Sequence, residues 1–484
     1  MKSVLAVAAA FAASVPSATA EAGTCNPSYW SKGHDFKNMQ YSHGPAKSAA
    51  DCCDQCSRYT DKTIGQCKFW TWDGKETCWF KSNNKGYRKA SADAVCGGVE
   101  NIKPPTPPPP PPPPPPTPPP VPTPPTPGPS AWDGKPVQVY IMMGQSNMLG
   151  EGKITGSGNT TLQSAVFEQG KYPWLKNGKY WSVYPKVRNV FIMGSGNNTF
   201  NNSVLQHNEW LTPDYGDKMA HGGEVGGRAH STIGPEFGIA DFGGTCSPTS
   251  CSQDNVMLLK SCIGDRALGW DLLPPGTRRH DYTDSKGTTW TYAGYKDSPE
   301  KWVANQTKPA PIGWYAGMQW DGDTANAEYI LANLPGFFPG TSGGASKYEI
   351  AGFFWWQGDK DSRDAGLSAA YEQNLVNFIR TVRKTFNAPN APFVTASLGQ
   401  TVAGSTDGGG EILDAMLNVG CNGATQGVAT KCKYPEFKGN VAAVYTNPLM
   451  NTPSASGGHY SGDAITYMNI GTAMGAEMAK MKKL

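Results

Sequence analysis

The chain has 484 residues and a formal net charge of +3. So small an excess excludes a surface built for nucleic acid or anionic membrane, both of which call for a strong basic bias. Aromatics are plentiful (15 Trp, 20 Tyr, 17 Phe), which suits sugar stacking without being diagnostic of it, and the length accommodates about two to four domains.

At the N-terminus, Lys2 precedes an apolar stretch over residues 4–15, and Ala18-Thr19-Ala20 follows. A charged, an apolar and a small-residue part in this order predict a secretory signal peptide over 1–20. The apolar run falls short of the roughly 20 residues that span a bilayer. No later stretch is long and apolar enough, so the expectation is a secreted, soluble protein. Twelve cysteines suit that compartment. Cys25, Cys52, Cys53, Cys56, Cys67, Cys78 and Cys96 lie early, and Cys246, Cys251, Cys262, Cys421 and Cys432 late. They read as disulfides rather than metal ligands. Both groups are odd, so either each leaves a thiol or one bridge joins them. Sequons at Asn159, Asn197, Asn201 and Asn305 would suit glycosylation of a eukaryotic product.

Residues 21–100 form a small Cys-dense module, in which disulfides supplement a core too small to stand alone. Residues 101–130 are a linker, in which 104–129 is almost pure proline with a few threonines. Such a tract adopts polyproline II and spans on the order of 80 Å as a semi-rigid rod.

Residues 131–484 read as one α/β domain. Apolar, strand-like runs occur at 137–143, 256–260, 350–356, 392–397 and 441–445. Between them, Leu367, Tyr371, Leu375, Phe378, Ile379 and Val382 recur at helical spacing. Residues 465–482 predict a terminal helix ending in lysines, which favour helix C-termini. Alternation of this kind predicts a parallel sheet with helices on both faces and a site beyond the strands' C-terminal ends. Three runs end in polar, Gly-containing loops: Gly144-Gln-Ser146, Cys262-Ile-Gly-Asp-Arg266 and Gln357-Gly-Asp-Lys-Asp361. These loops converge on one edge in such a sheet. The stretches 152–230 and 274–319 lack periodicity and read as insertions over that edge, or as loops supported by the cysteine pairs.

Two resemblances follow from these residues. The run Cys52-Cys53-Asp-Gln-Cys56, then Cys67-Lys-Phe-Trp-Thr-Trp72 and Cys78-Trp-Phe-Lys81, resembles the PAN/apple domain, a module that binds proteins or carbohydrates. That resemblance implies bridges Cys56–Cys67, Cys78 with Cys52 or Cys53, and Cys25–Cys96. In the large domain, Gly144-Gln-Ser-Asn-Met148, Ile263-Gly-Asp-Arg266, Trp356-Gln-Gly-Asp359 and Gly458-His-Tyr460 occur in an order that resembles the SGNH hydrolases. The match is to their sialate O-acetylesterase and acetylxylan-esterase-like branch. Gly234-Pro-Glu-Phe237 is similar to a helix-initiating segment of the same family. The resemblance implies a three-layer α/β/α, flavodoxin-like catalytic domain behind a disulfide-rich N-terminal one.

It also implies an O-acetyl carbohydrate esterase acting without metal or other cofactor, with an acetylated carbohydrate as its partner. Ser146 would attack the ester carbonyl and His459 would take its proton, since an imidazole serves best as a base near neutral pH. The Ser146 and Gly264 backbone N–H groups and the Gln357 carboxamide would hold the oxyanion. One such donor is typically worth about 2.7–4 kcal/mol. Two departures stand out. The family's Asp three residues before the histidine is Ser456 here, leaving Asp361, Asp463 or a backbone carbonyl to orient the ring. The usual Glu of the W-x-Q-G-E block is Asp359. The rival expectations are a non-catalytic extracellular binding protein on the same fold, favoured by the missing Asp, and an esterase for non-sugar esters.

Overall fold

In the computed structural model, the apolar run from Val137 becomes the centre of a seven-stranded sheet. The structure describes residues 31–32, 34–36, 40–58, 60–61, 65–67, 69–81, 87–89, 94–98, 132, 134–193, 205–214, 232–241, 255–340, 343–452 and 458–483. The predicted signal peptide, the proline tract, Asn197, Asn201, Cys25, Cys246, Cys251 and Ser456 lie outside the described residues. The chain divides into two compact units, 1–122 and 123–484.

In the first unit, a helix over Ala49–Arg58 carries Cys52, Cys53 and Cys56. Cys52 bonds to Cys78 and Cys56 to Cys67, which fixes the helix to the strands Thr77–Lys81 and Phe69–Trp72. Cys53 is also disulfide-bonded. Those strands belong to a five-stranded sheet whose pairings are antiparallel. Trp70 and the helix cysteines form its small core.

The central strands of the second unit are β1 (Val137–Gly144), β2 (Tyr184–Ile192), β3 (Leu205–Leu211), β4 (Val256–Cys262), β5 (Tyr348–Trp356), β6 (Phe393–Ala396) and β7 (Val441–Val444). Their order is β3-β2-β4-β1-β5-β6-β7. Every pairing is parallel except β2 with β3. The alternation of side chains along a strand builds two cores. Val139, Ile141 and Met143 enter one, and Tyr140 and Met142 the other. Each such side chain contributes about 1.5–3 kcal/mol when fully buried.

Helices α1 (Ser146–Leu149), α2 (Glu236–Ala240), α3 (Met318–Ala332), α4 (Ala365–Thr385), α5 (Gly408–Val419) and α6 (Ala464–Lys482) complete the unit. Side chains of α2 and α6 fill the core on one face, and those of α3, α4 and α5 the core on the other. Asp364 caps α4 by accepting from the Gly366 and Leu367 N–H groups, and Asp463 caps α6 through the Thr466 N–H. No helix among the described residues is long and apolar enough to cross a membrane.

Two expectations are corrected. The stretch 152–230 is not only an insertion, because it supplies β2 and β3 of the central sheet. Its pattern hid this because β2 is broken by Arg188, a buried side chain held by the Phe337 carbonyl and by Asn208. Among the late cysteines, Cys421 bonds to Cys432, whereas Cys262 is a buried free thiol at the end of β4, its pKa pushed up by burial. The stretch 274–319 does carry added structure, a three-stranded antiparallel sheet over His280–Thr283, Thr289–Tyr292 and Lys301–Val303. Asn159 and Asn305 are both exposed.

Candidate functional site

Strand register decides where the site forms. Gly144 at the end of β1 is level with Cys262 of β4 on one side and Trp356 of β5 on the other. The loops that leave these three positions carry Ser146, Gly264 and Gln357, so all three emerge at one edge. Gly144 has φ of 151°, and a Cβ there would lie 2.2 Å from the Trp356 carbonyl oxygen. Only glycine fits, and the chain turns straight into α1, with Ser146 as its first residue. The Gln145 N–H donates to that same Trp356 carbonyl and locks the corner.

Ser146 is nearly buried, at 9% exposure. Gly264 lies beside it, but a Cβ added to Gly264 would meet only the Ser146 Cβ at 3.7 Å, an ordinary contact. Packing therefore does not demand glycine at 264. What its missing side chain leaves is open space next to the Ser146 side chain.

Gln357 behaves differently from the expectation. It is fully buried, and its Nε2 lies 2.9 Å from the Arg266 carbonyl, 2.5 Å from Asp361 Oδ2 and 3.3 Å from Gln145 Oε1. Two amide hydrogens already face three internal acceptors, so none is left for a substrate oxyanion. The cause is Asp361, a buried carboxylate four residues on. It also takes the Leu268 and Gly269 N–H groups, each at 2.8 Å. Burial raises its pKa to about 7 against those hydrogen bonds. In this geometry Gln357 braces the Gly264–Arg266 loop against the Ser146 corner.

His459 sits in a short left-handed turn. His459, Tyr460 and Ser461 have φ of 53°, 53° and 55°, a conformation that costs L-residues roughly 1–2 kcal/mol each. Tyr460 holds the turn in place. Its ring is buried and stacks on Trp356 with centroids 5.9 Å apart. Its Oη accepts from Asn147 Nδ2 at 3.2 Å and from the Gly399 N–H at 3.1 Å. The His459 turn is thus tied to the residue that follows Ser146. Among the described residues no hydrogen bond joins Ser146 to His459. The His459 ring is 38% exposed, and its Nδ1 is 3.6 Å from Glu151 Oε2, within ion-pair reach but longer than a hydrogen bond.

Neither acid expected beside His459 is there. Asp361 is committed below the Gly264 loop, and Asp463 caps α6 while accepting from Asn451. Glu151 takes that place. The sequence holds no signal for it, because the Gly150 turn brings it back toward the His459 loop only in three dimensions. A buried pair, Lys260 and Glu236, supports α1 from behind. Lys260 Nζ donates to the Leu149 carbonyl at 2.8 Å and to Glu236 at 3.0 Å. The rim carries Asp265, Asp359, Lys360 and Arg363, paired with one another. Among the described residues no group of three or more His, Cys, Asp or Glu is arranged to hold a metal ion.

Residues 341–427 match the family model described as carbohydrate esterase, sialic acid-specific acetylesterase. No curated protein sequence matches the chain. Three solved structures are similar to it in part. A protein from Arabidopsis thaliana is 13% identical, covering 71% of this chain and 98% of its own, with a TM-score of 0.38. A carbohydrate acetylesterase from Xanthomonas citri is 11% identical, covering 84% and 68%, with a TM-score of 0.36. NanS is 12% identical, covering 55% and 68%, with a TM-score of 0.26. All three scores lie below the level that shows a shared fold.

Proposed function

We propose that this chain is a secreted, SGNH-type serine esterase that removes O-acetyl groups from a carbohydrate, with a PAN/apple-like module at its N-terminus. What carries the reading is the level register of Gly144, Cys262 and Trp356, with Ser146 and Gly264 side by side beyond it. The match of residues 341–427 to an acetylesterase family model supports the ester chemistry and the sugar.

The chemistry follows from the groups at the edge. Ser146 Oγ attacks the acetyl carbonyl carbon, and His459 Nε2 takes the hydroxyl proton. The oxyanion accepts hydrogen bonds from the Ser146 and Gly264 N–H groups. Gln357, cast as a third donor on sequence grounds, serves instead to hold the Gly264 loop. As the tetrahedral intermediate collapses, the C–O bond to the sugar breaks and His459 returns the proton to the departing alkoxide. Water, deprotonated by His459, then hydrolyses acetyl-Ser146 to acetate. Glu151 beside Nδ1 would keep the ring oriented and offset the positive charge it gains.

The test is acetate release from 4-nitrophenyl acetate and from acetylated polysaccharides, by wild type and by Ser146→Ala. Loss of at least about 10³-fold in kcat is expected for the variant. No turnover by wild type overturns the esterase reading, and turnover that survives in the variant overturns the nucleophile. Turnover of the aryl ester but of no sugar ester would turn the reading to non-sugar substrates.

A further inference from the structure

A groove between α4 and the added sheet over residues 274–319 is lined by polar side chains whose hydrogen-bonding groups the rest of the fold does not use up. On one side lie Ala369, Ala370, Gln373, Asn374 and Asn377, which recur along one face of α4. On the other runs the segment from Gly276 to Tyr282. The cavity measures about 540 Å³, inside the range of roughly 300–1,000 Å³ usual for small-ligand sites. Asn374 is only 4% exposed, yet no described residue offers its carboxamide a hydrogen bond. None of the lining residues belongs to the Ser146 edge.

The remaining groups define what would satisfy it. Gln373 Nε2 donates to Asn377 Oδ1 at 3.0 Å, which leaves Gln373 Oε1 as an acceptor and Asn377 Nδ2 as a donor. His280 Nε2 is 3.1 Å from the Gly366 carbonyl. A carbonyl only accepts, so in the neutral ring Nε2 carries the proton and Nδ1 is an acceptor. Arg279 is already neutralised by Asp297, and Arg278 and Asp281, of opposite charge, both line the same wall. An anionic ligand would ask for unpaired cations. This wall instead mixes donors and acceptors at little net charge, and Tyr282 adds an aromatic face. Such an array suits hydroxyls that both give and accept.

We infer that this groove binds a neutral pyranose unit of a polysaccharide, as a second carbohydrate site apart from Ser146. The inference rests on the carbohydrate part of the proposed function, not on its chemistry. The test is native electrophoresis of the full chain through gels containing soluble glucuronoxylan, glucomannan, pectin or sialylated mucin. Wild type is expected to be retarded in at least one gel. Asn374→Leu combined with Asn377→Ala should remove at least half of that retardation, with 4-nitrophenyl acetate turnover unchanged. Gln373→Ala, an exposed change that spares the fold, should give a smaller loss in the same gel. Absence of retardation in every gel overturns the inference, as does full retardation of both variants. Failure of the esterase reading shows itself separately, as wild type that is retarded but releases no acetate.

Discussion

The Ser146 corner and the His459 turn serve one edge but are built in opposite ways. The corner is fixed by a sheet. Gly144 admits no side chain, the Trp356 carbonyl takes the Gln145 N–H, and two buried networks, Lys260–Glu236 and Gln357–Asp361, hold the loops around it. The His459 turn has three successive left-handed residues and a partly exposed ring, and Tyr460 is its anchor to the rest. A nucleophile, the role proposed for Ser146, gains from rigidity when it must meet oxyanion donors. A base, the role proposed for His459, tolerates more freedom, provided something limits its range. For the His459 turn that limit would come from the Tyr460 phenol and the Glu151 carboxylate.

Substitutions sharpen the contrast. The largest effect is expected from His459→Ala, a fall in kcat for 4-nitrophenyl acetate of about 10³-fold or more with little change in KM. Retained turnover would remove the base from the turn altogether. Glu151→Gln keeps the shape but removes the charge beside Nδ1. Steady-state kinetics should show kcat lower by about 10–100-fold and KM unchanged, because orientation is lost and not binding. An unaltered kcat would mean that the ring needs no acid. Tyr460→Phe deletes the acceptor for Asn147 and for the Gly399 N–H. Leaving those donors unpaired should cost about 1–2 kcal/mol, read as a lowered thermal midpoint, with a smaller loss in kcat than Glu151→Gln. If the midpoint holds, the phenol is not the latch.

The smallest effect probes the rigid side. Asp323 is buried, accepts from Ser261 Oγ on β4 and from Gln319 Nε2, and leaves its second oxygen unbonded. Burial raises its pKa from 3.8 to about 7. The folded protein therefore holds this proton more tightly than the unfolded chain. The resulting stability is complete below about pH 4 and is lost as pH rises through about 7. Asp323→Asn keeps Oδ1 as the acceptor and cannot ionise. Its melting temperature should fall less than that of wild type between pH 5 and 8, the gap corresponding to on the order of 1–2 kcal/mol at the alkaline end. Parallel pH profiles would show that Asp323 does not titrate in this range.

Much of the second unit was legible because the signals are local. The apolar runs at 137–143, 256–260 and 350–356 appear as β1, β4 and β5, and the helical spacing from Leu367 to Val382 appears as α4. β2 and β3 were missed because Arg188 and neighbouring polar residues break the apolar pattern, and their hydrogen-bond partners are remote in sequence. Among the candidate residues, the meeting of the Ser146, Gly264 and Gln357 loops at one edge follows from the strand ends alone. The inward turn of the Gln357 carboxamide does not, since it depends on the Asp361 carboxylate buried beneath it.

The sequence by itself determined the residue types at the edge and the strands that deliver them, because periodicity and glycine turns act over a few residues. Tertiary structure alone decided which acid stands near His459, which amide is already committed, and where Tyr460 joins the turn to Asn147. The first and last are contacts between residues far apart in the chain, and the Gln357 amide, besides Asp361 four residues on, reaches the remote Arg266 carbonyl; all depend on how loops fold back over a sheet.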